Sequence, residues 1–546
     1  MKKDLILVLG IILLALLLFK KPLSPTNTIS DLEPSPDAIH YLNPLVSLLN
    51  GQGLVLSYQD RVIPTAVPPF YTLTLLPLYL LSGEIRFFYI TNVILTIFST
   101  ILFYKITTFL FKNRVIIAIL LLGYVTNYVV YWYPQNAMAE NLLLPLYLFS
   151  IWLLLQSLTP KIILLSSISA VAFLATKYVA WILALSLMIM LVIKIYFNKN
   201  SGPQKISSVL LSILSFLSFF MIFLYIEYLN KGNGLFYAVQ NYLQEFLTLL
   251  PSYENTNHPP LLTSDSFSQT NFKSALTRYI AGILGGPISV AGKDFIILPV
   301  VVGISSSLAI FANLFIKKYR ILSLYFLISV IGTLLFVTTF FVLDPNYFYI
   351  VDGRYLFVFI PTFLLIFGIF LETITVFLNN LDRKIYSYLI LIFVLISTVV
   401  NVYQPVVNQL KINFFIPEHP LNFETVSVMN AYTDQLPANA KPTIISILSP
   451  FYIDFFTNKK YELLPLSPSQ YFTDQVDKVW GIDPNIKLLD IYKSYLRENR
   501  LLLVSSYKTN NKYWYSLDMQ KIKDNFTLKL VAEGCQGECN LYKVEF

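Results

Sequence analysis

The chain has 546 residues, of which 56% are hydrophobic and only 13% charged, and its mean hydropathy is +0.63. Apolar surface in that excess cannot be folded into one water-soluble core, so a soluble enzyme is excluded and a polytopic α-helical membrane protein is expected. The net charge of +8 does not mark a nucleic-acid partner, because Lys and Arg fall in short clusters between apolar runs, the pattern of membrane topology.

The N-terminal run MKKDLILVLGIILLALLLF resembles a signal peptide, but KKPLSP follows in place of a small-x-small cleavage site, so a retained first span over about 5–20 is expected. Further runs of spanning length lie near 87–111, 115–133, 141–157, 162–176, 178–197, 206–228, 294–316, 321–343, 355–373 and 385–403. With about eleven spans, the basic clusters at Lys2 and Lys3, Lys112 and Arg114, Lys161, Lys194 to Lys205, Lys317 to Arg320, and Arg383 and Lys384 all share one side. By the positive-inside rule that side is cytoplasmic, which leaves the N-terminus inside and everything after about residue 404 outside. Residues 66–82, AVPPFYTLTLLPLYLLS, are apolar enough to cross, but a crossing there would invert every later cluster. Pro68, Pro69 and Pro77 remove backbone donors, so a juxtamembrane or re-entrant helix is expected instead.

Two domains follow from this pattern: a transmembrane domain over 1–403, with outer loops at about 20–86 and 229–293, and an extracytoplasmic tail over 404–546. The tail opens on the helix-like NFETVSVMNAYTDQLP and continues through the strand-like PTIISILS, RLLLVSSY and CNLYKVEF, the pattern of a small soluble α/β domain. Cys535 and Cys539 in CQGEC are too few for a disulfide scaffold and close at most one short loop.

The candidate chemistry sits in the outer loops. In SPDAIHYLNPLVSLLNGQG, Ser35 is placed to cap a helix, Pro36 to start it and Asn50 with Gly51 to stop it, which puts Asp37 in the first turn. Asp37 there is either a macrodipole partner or a working carboxylate. Its company favours the second: Asp31, Glu33, Asp37 and His40 fall within ten residues at a membrane surface. Glu140 at the head of one span, Lys177 between two spans, and Arg354 with Tyr355 at the head of another meet the same outer face. Each also has a plainer role open to it, as a helix-start carboxylate, a snorkelling lysine or an interfacial anchor. His258, in NTNHPPLL, is either an ordinary loop residue or part of an acceptor entrance.

The order of these elements resembles the GT-C superfamily of integral-membrane glycosyltransferases, in the bacterial branch of protein O-mannosyltransferases and the aminoarabinose and lipopolysaccharide sugar transferases. The resembling stretches are PDAIHYLNPLVSLLNGQG, PPFYTLTLLPLYLL, AENLLLPLYLF, ATKYVAWILAL, DGRYLFVFIPTFLLI and the closing CNLYKVEF. The resemblance implies a polyprenyl-phosphate sugar donor, a glycan, lipid or protein acceptor, and an acidic base in the first outer loop, matched here by Asp37. It places Glu140 at the acidic position of the second outer loop and Lys177, Arg354 and Tyr355 beside the donor phosphate, with Glu33, His40 and His258 as accessory residues. A divalent cation, where present, would be held by Asp37 and Glu140. One departure is Thr176-Lys177 where relatives often have Thr-Arg: a lysine is a point charge without the bidentate fork of arginine. The rival class, a transporter or lipid-linked glycan flippase, would bring paired broken helices and an internal repeat, which the sequence does not display.

Overall fold

The computed structural model of the chain describes residues 2–18, 38–58, 61–65, 67–83, 88–127, 130–131, 133–135, 137–177, 180–198, 201–231, 288–290, 293–295, 316, 319–343, 357–415, 421–437, 440–446, 448, 450–457, 461–466, 482, 487–507, 512–534, 537 and 539–546. Apolar runs become helices because a chain in hydrocarbon must satisfy every backbone group within its own segment. They are α1 (Lys2–Leu18), α2 (Ile39–Leu49), α3 (Pro69–Ser82), α4 (Phe88–Leu110), α5 (Arg114–Val125), α6 (Glu140–Leu155), α7 (Pro160–Thr176), α8 (Trp181–Phe197), α9 (Gly202–Lys231), α10 (Arg320–Leu343), α11 (Ile360–Asn380) and α12 (Lys384–Phe415). Among the described residues, three stretches, Phe88–Leu110, Gly202–Ile226 and Ile360–Asn380, are long and apolar enough to cross a membrane, and the protein is integral to one.

The bundle combines neighbours in sequence with more distant helices: α6 packs on α4 and α7, α7 on α8 and α9, α8 on α10, and α11 on α5 and α12. Gly368 permits the α5–α11 approach, since a Cβ there would lie 2.6 Å from Leu120 and 2.8 Å from Phe111. At one end of the bundle, Glu372 of α11 accepts from the Tyr319 hydroxyl at 2.6 Å and from the Lys112 backbone at 3.4 Å. The Lys194 ammonium of α8 donates to the carbonyls of Leu153, at 3.3 Å, and Gln156, closing the C-terminus of α6. The segments carrying several of the basic clusters are therefore bonded together at helix ends opposite to those that carry Glu140 and Lys177.

Several expectations are corrected. Helix α2 opens at Ile39, with Ala38 at the N-cap in helical conformation and no side-chain cap, so its first turn holds no carboxylate; Ser35, Pro36 and Asp37 lie outside the described residues. Its expected stop does hold: Gly51 takes φ +77° and donates to the Leu48 carbonyl. Helix α5 ends at Val125, well short of 133, with Thr126 at its C-cap and the Thr126 hydroxyl on the Leu122 carbonyl at 2.6 Å. The expected span at 294–316 lies outside the described residues apart from its first positions, which form a strand: β4 (Lys293–Phe295) pairs antiparallel with β3 (Ile288–Val290). Helix α12 runs unbroken to Phe415, past the expected domain boundary at 404; its 32 residues rise about 48 Å against a hydrocarbon core of roughly 30 Å. Within 66–82, helix α3 has 14 residues and rises about 21 Å, against a hydrocarbon core of roughly 30 Å.

After α12 come α13 (Leu421–Thr433), α14 (Pro450–Thr457), α15 (Leu488–Arg497) and α16 (Lys512–Asn525). With them is a five-stranded mixed sheet of β5 (Thr443–Ser446), β6 (Glu462–Pro465), β7 (Leu502–Tyr507), β8 (Thr527–Gly534) and β9 (Cys539–Glu545), in the order β6-β5-β7-β9-β8. Strands β5, β7 and β9 are the expected ones; β6 is only four residues long and β8 is a half-exposed edge strand, so neither shows a hydrophobic alternation in sequence. Cys539 is disulfide-bonded, and Cys535 is the one other cysteine of the chain.

The first loop also contains an unexpected hairpin, β1 (Val55–Tyr58) with β2 (Arg61–Pro64). The Asn43 amide of α2 braces it as a peptide would, donating to the Ser57 carbonyl at 3.1 Å and accepting from the Ser57 N–H at 2.8 Å. Tyr58 then plugs into the C-terminal unit: it is 1% exposed and meets Phe451 of α14 edge-on at 6.3 Å. Burial holds its hydroxyl protonated well above the ordinary range, against the lowering effect of the bond to the Leu463 backbone. One apolar cluster thus runs from α2 and the hairpin into the sheet.

Removing the brace with Asn43→Ala is expected to destabilise the protein by about 1 to 3 kcal/mol, since it strands a partly buried carbonyl and N–H; thermal unfolding in detergent measures it. Tyr461 donates to Asn430 and burial pushes its hydroxyl up to about 12. A folded pKa above the unfolded one leaves this stabilisation intact below about pH 10 and removes it as pH rises through 12. Unfolding of the sheet unit followed between those pH values is expected to show a smaller alkaline loss in Tyr461→Phe than in the wild type.

Candidate active site

Helix α6 begins at Glu140 and helix α7 ends at Thr176, so hairpin geometry brings the N-terminus of one beside the C-terminus of the other. A carboxylate is favoured at the first position and a cation at the second by the helix dipoles. Lys177 leaves α7 in extended conformation, φ −157° and ψ 128°, with its N–H closing the Phe173 carbonyl at 3.1 Å. Its ammonium donates to Glu140 Oε1 at 2.5 Å. The Glu140 side chain is fully buried and that of Lys177 is 13% exposed, so this lysine points into the protein and does not snorkel.

Around the pair lies a polar shell inside an apolar bundle. The Tyr71 hydroxyl of α3 donates to Asn92 Oδ1 of α4 at 2.8 Å, and Asn92 Nδ2 donates to the Pro134 carbonyl at 3.2 Å. Asn141, next to Glu140, donates to the Met138 carbonyl at 3.0 Å, and its side chain also meets the Tyr71 hydroxyl. A small cavity of about 10 Å³, room for roughly one water, lies beside Glu140 and Asn141, walled by Thr96 and Ser99 of α4 and by Tyr133, Pro134 and Pro145. The sequence reading missed Tyr71, Asn92 and Asn141. The signal for α4 was present: Asn92, Thr96, Ser99 and Thr100 recur at helical spacing on one face of an apolar run, and all are buried.

Of the expected site residues, the structure brings Glu140 and Lys177 into contact. His40 is half-buried on α2, whose neighbour Tyr41 packs edge-on against Tyr71 at 5.2 Å. Ala38 and Ile39 share an apolar cluster with Ala137 and Ala139, so the chain just after Asp37 and the chain just before Glu140 are packed in one core. Asp31, Glu33, Asp37, His258, Arg354 and Tyr355 themselves lie outside the described residues. Among the described residues, no three His, Cys, Asp or Glu side chains are grouped to hold a metal ion, and Oε1 of Glu140 carries an ammonium; no step is therefore derived through a divalent cation.

No protein-family profile and no curated protein sequence matches the chain. Its fold is similar to that of ArnT from Cupriavidus metallidurans in the apo state, with a TM-score of 0.53 at 10% sequence identity, over 99% of this chain and 98% of that one. It is equally similar to ArnT from Cupriavidus metallidurans bound to undecaprenyl phosphate, with a TM-score of 0.53 at 11% identity, over 99% and 97% of the two chains. The likeness is one of fold, and at that level it agrees with the GT-C resemblance of the sequence.

Breaking a buried pair leaves one charge without its partner, which costs about 3 to 5 kcal/mol, whereas replacing both charges by neutral groups is close to neutral. Lys177→Met is therefore expected to lower the thermal midpoint of the detergent-solubilised protein sharply. Lys177→Met combined with Glu140→Leu is expected to recover most of the loss.

Proposed function

We propose that the chain is a glycosyltransferase that moves a sugar from a polyprenyl-phosphate donor to an acceptor at the extracytoplasmic face of the membrane. The observation that carries this reading is the buried Glu140–Lys177 pair at a bundle end roofed by the first loop. Support comes from the full-length likeness to a protein whose structure holds undecaprenyl phosphate. The disulfide at Cys539 fits an oxidising compartment for the C-terminal unit. On this reading the basic end faces the cytoplasm, and so does the N-terminus.

The reaction is a single displacement with inversion. An acceptor hydroxyl attacks the anomeric carbon and gives its proton to the Asp37 carboxylate as the bond from carbon to phosphate oxygen breaks; the electron pair leaves with the lipid phosphate. Charge develops on that phosphate, and Lys177, with Arg354 and Tyr355, meets it. Glu140 holds the Lys177 ammonium in place, so the cation needs no reorganisation at the moment of reaction, and apolar walls strengthen its field. Glu140 also orients an acceptor group on this reading. Glu33, His40 and His258 are accessory to this site, and the C-terminal unit, packed on the first loop, selects the acceptor.

Sugar transfer from a radiolabelled pool of polyprenyl-phosphate sugars is measured in membranes carrying wild type, Asp37→Asn or Glu140→Gln at equal levels. Transfer is expected in the wild type, with a fall of about a hundredfold or more in Asp37→Asn on losing the general base. Equal transfer by Asp37→Asn would remove Asp37 as the base, and a wild type that consumes no donor would favour a flippase or transporter.

A further inference from the structure

Tyr71 is 0% exposed, yet it belongs to the first-loop helix α3 and its hydroxyl reaches into the bundle. There it meets the residues that frame the start of α6. Asn92 Oδ1 accepts from it at 2.8 Å while Asn92 Nδ2 holds the Pro134 carbonyl, at the middle of the short helical turn Tyr133–Gln135. The Asn141 side chain and the Met138 backbone are within its hydrogen-bonding reach, and the Glu140 carboxylate acts on it electrostatically. Among the described residues between Tyr133 and the start of α6, 133–135 form one short helical turn and 137–139 belong to no helix or strand, so this backbone has little regular structure of its own to hold it. On the other side of the ring stands Tyr41 of α2, the helix that follows Asp37.

We infer that Tyr71 is a positioning residue, whose hydroxyl clamps the 133–141 turn and so sets where Glu140 holds Lys177. Asn92 and Asn141 are the arms of the clamp, and Tyr41 ties it to the loop that bears Asp37. The inference rests on the glycosyltransferase reading for its kinetic consequence, but its structural half stands apart from that reading. Tyr71 touches no reacting atom; it acts through Glu140. A displacement of the pair by a fraction of an ångström weakens transition-state stabilisation more than donor binding, so the effect belongs in kcat.

The test uses the full chain in membranes with an undecaprenyl-phosphate-linked sugar donor found active for the wild type. Tyr71→Phe keeps the ring and its packing on Tyr41 and removes only the hydroxyl. It is expected to lower kcat about ten- to a hundredfold with donor KM unchanged. Added to Glu140→Gln, it is expected to lower kcat no further, because its route runs through Glu140. Losses that multiply in the double variant, or a Tyr71→Phe enzyme equal to wild type, would overturn the inference and leave the glycosyltransferase reading standing. Hydrogen–deuterium exchange of the detergent-solubilised protein gives the structural half independently of activity: backbone amides over 137–143 are expected to exchange faster in Tyr71→Phe while those of α8 and α11 do not change. Unchanged exchange at 137–143 would overturn the clamp even if no donor supports transfer. If Tyr71→Phe fails to accumulate, Asn141→Ala, which removes one arm alone, is measured in the same way with the same expected outcomes.

Discussion

A charge placed in hydrocarbon must be matched by another charge at contact distance, and the Glu140–Lys177 pair is where this chain meets that constraint. The match requires the head of α6 and the tail of α7 to coincide, which in turn requires a tight hairpin between them and its C-terminal carbonyls closed, as Lys194 does from α8. Once both ends are fixed, α4, α8 and α9 pack on the hairpin in the order their connections permit. The pair is then a fixed electric dipole beside a small, mainly apolar cavity.

The second organising contact joins the loop to the tail. A transmembrane hairpin alone would leave α2 and its small β-ribbon lying on the bundle with one face to water. Tyr58, Leu56 and Ile63 instead share a core with Ile444, Phe451 and Leu463 of the C-terminal unit. The Asn43 brace ties α2 to the ribbon. The long α12 comes before the C-terminal unit: its 32 residues rise about 48 Å before the sheet begins.

Much of the bundle was legible because apolar runs between basic clusters have one physical solution in lipid, a helix. The boundaries at α4, α6, α7 and α10 fall within a few residues of the expected ones. What escaped was decided by partners distant in sequence. The ribbon of 55–64 is held by an asparagine on a helix, and β6 and β8 become strands only because β5 and β9 offer them ladders. The candidate site divides in the same way: Glu140 and Lys177 stood out as charges at span ends, while Tyr71, Asn92 and Asn141 are neutral polar residues whose importance lies in whom they meet.

By itself, then, the sequence determined that the chain lives in a membrane, which runs are helical, and where its rare charges lie, since those properties follow from local composition and the exclusion of water. Only the tertiary structure decided that Lys177 faces inward to Glu140, that Tyr71 reaches from the first loop to the head of α6, and that the tail shares a core with that loop. The hydrogen bonds among them cross 37 positions of sequence for Lys177 and Glu140 and 21 for Tyr71 and Asn92, and no local pattern encodes a partner that far away. Their geometry is settled when buried polar groups, excluded from water, find one another.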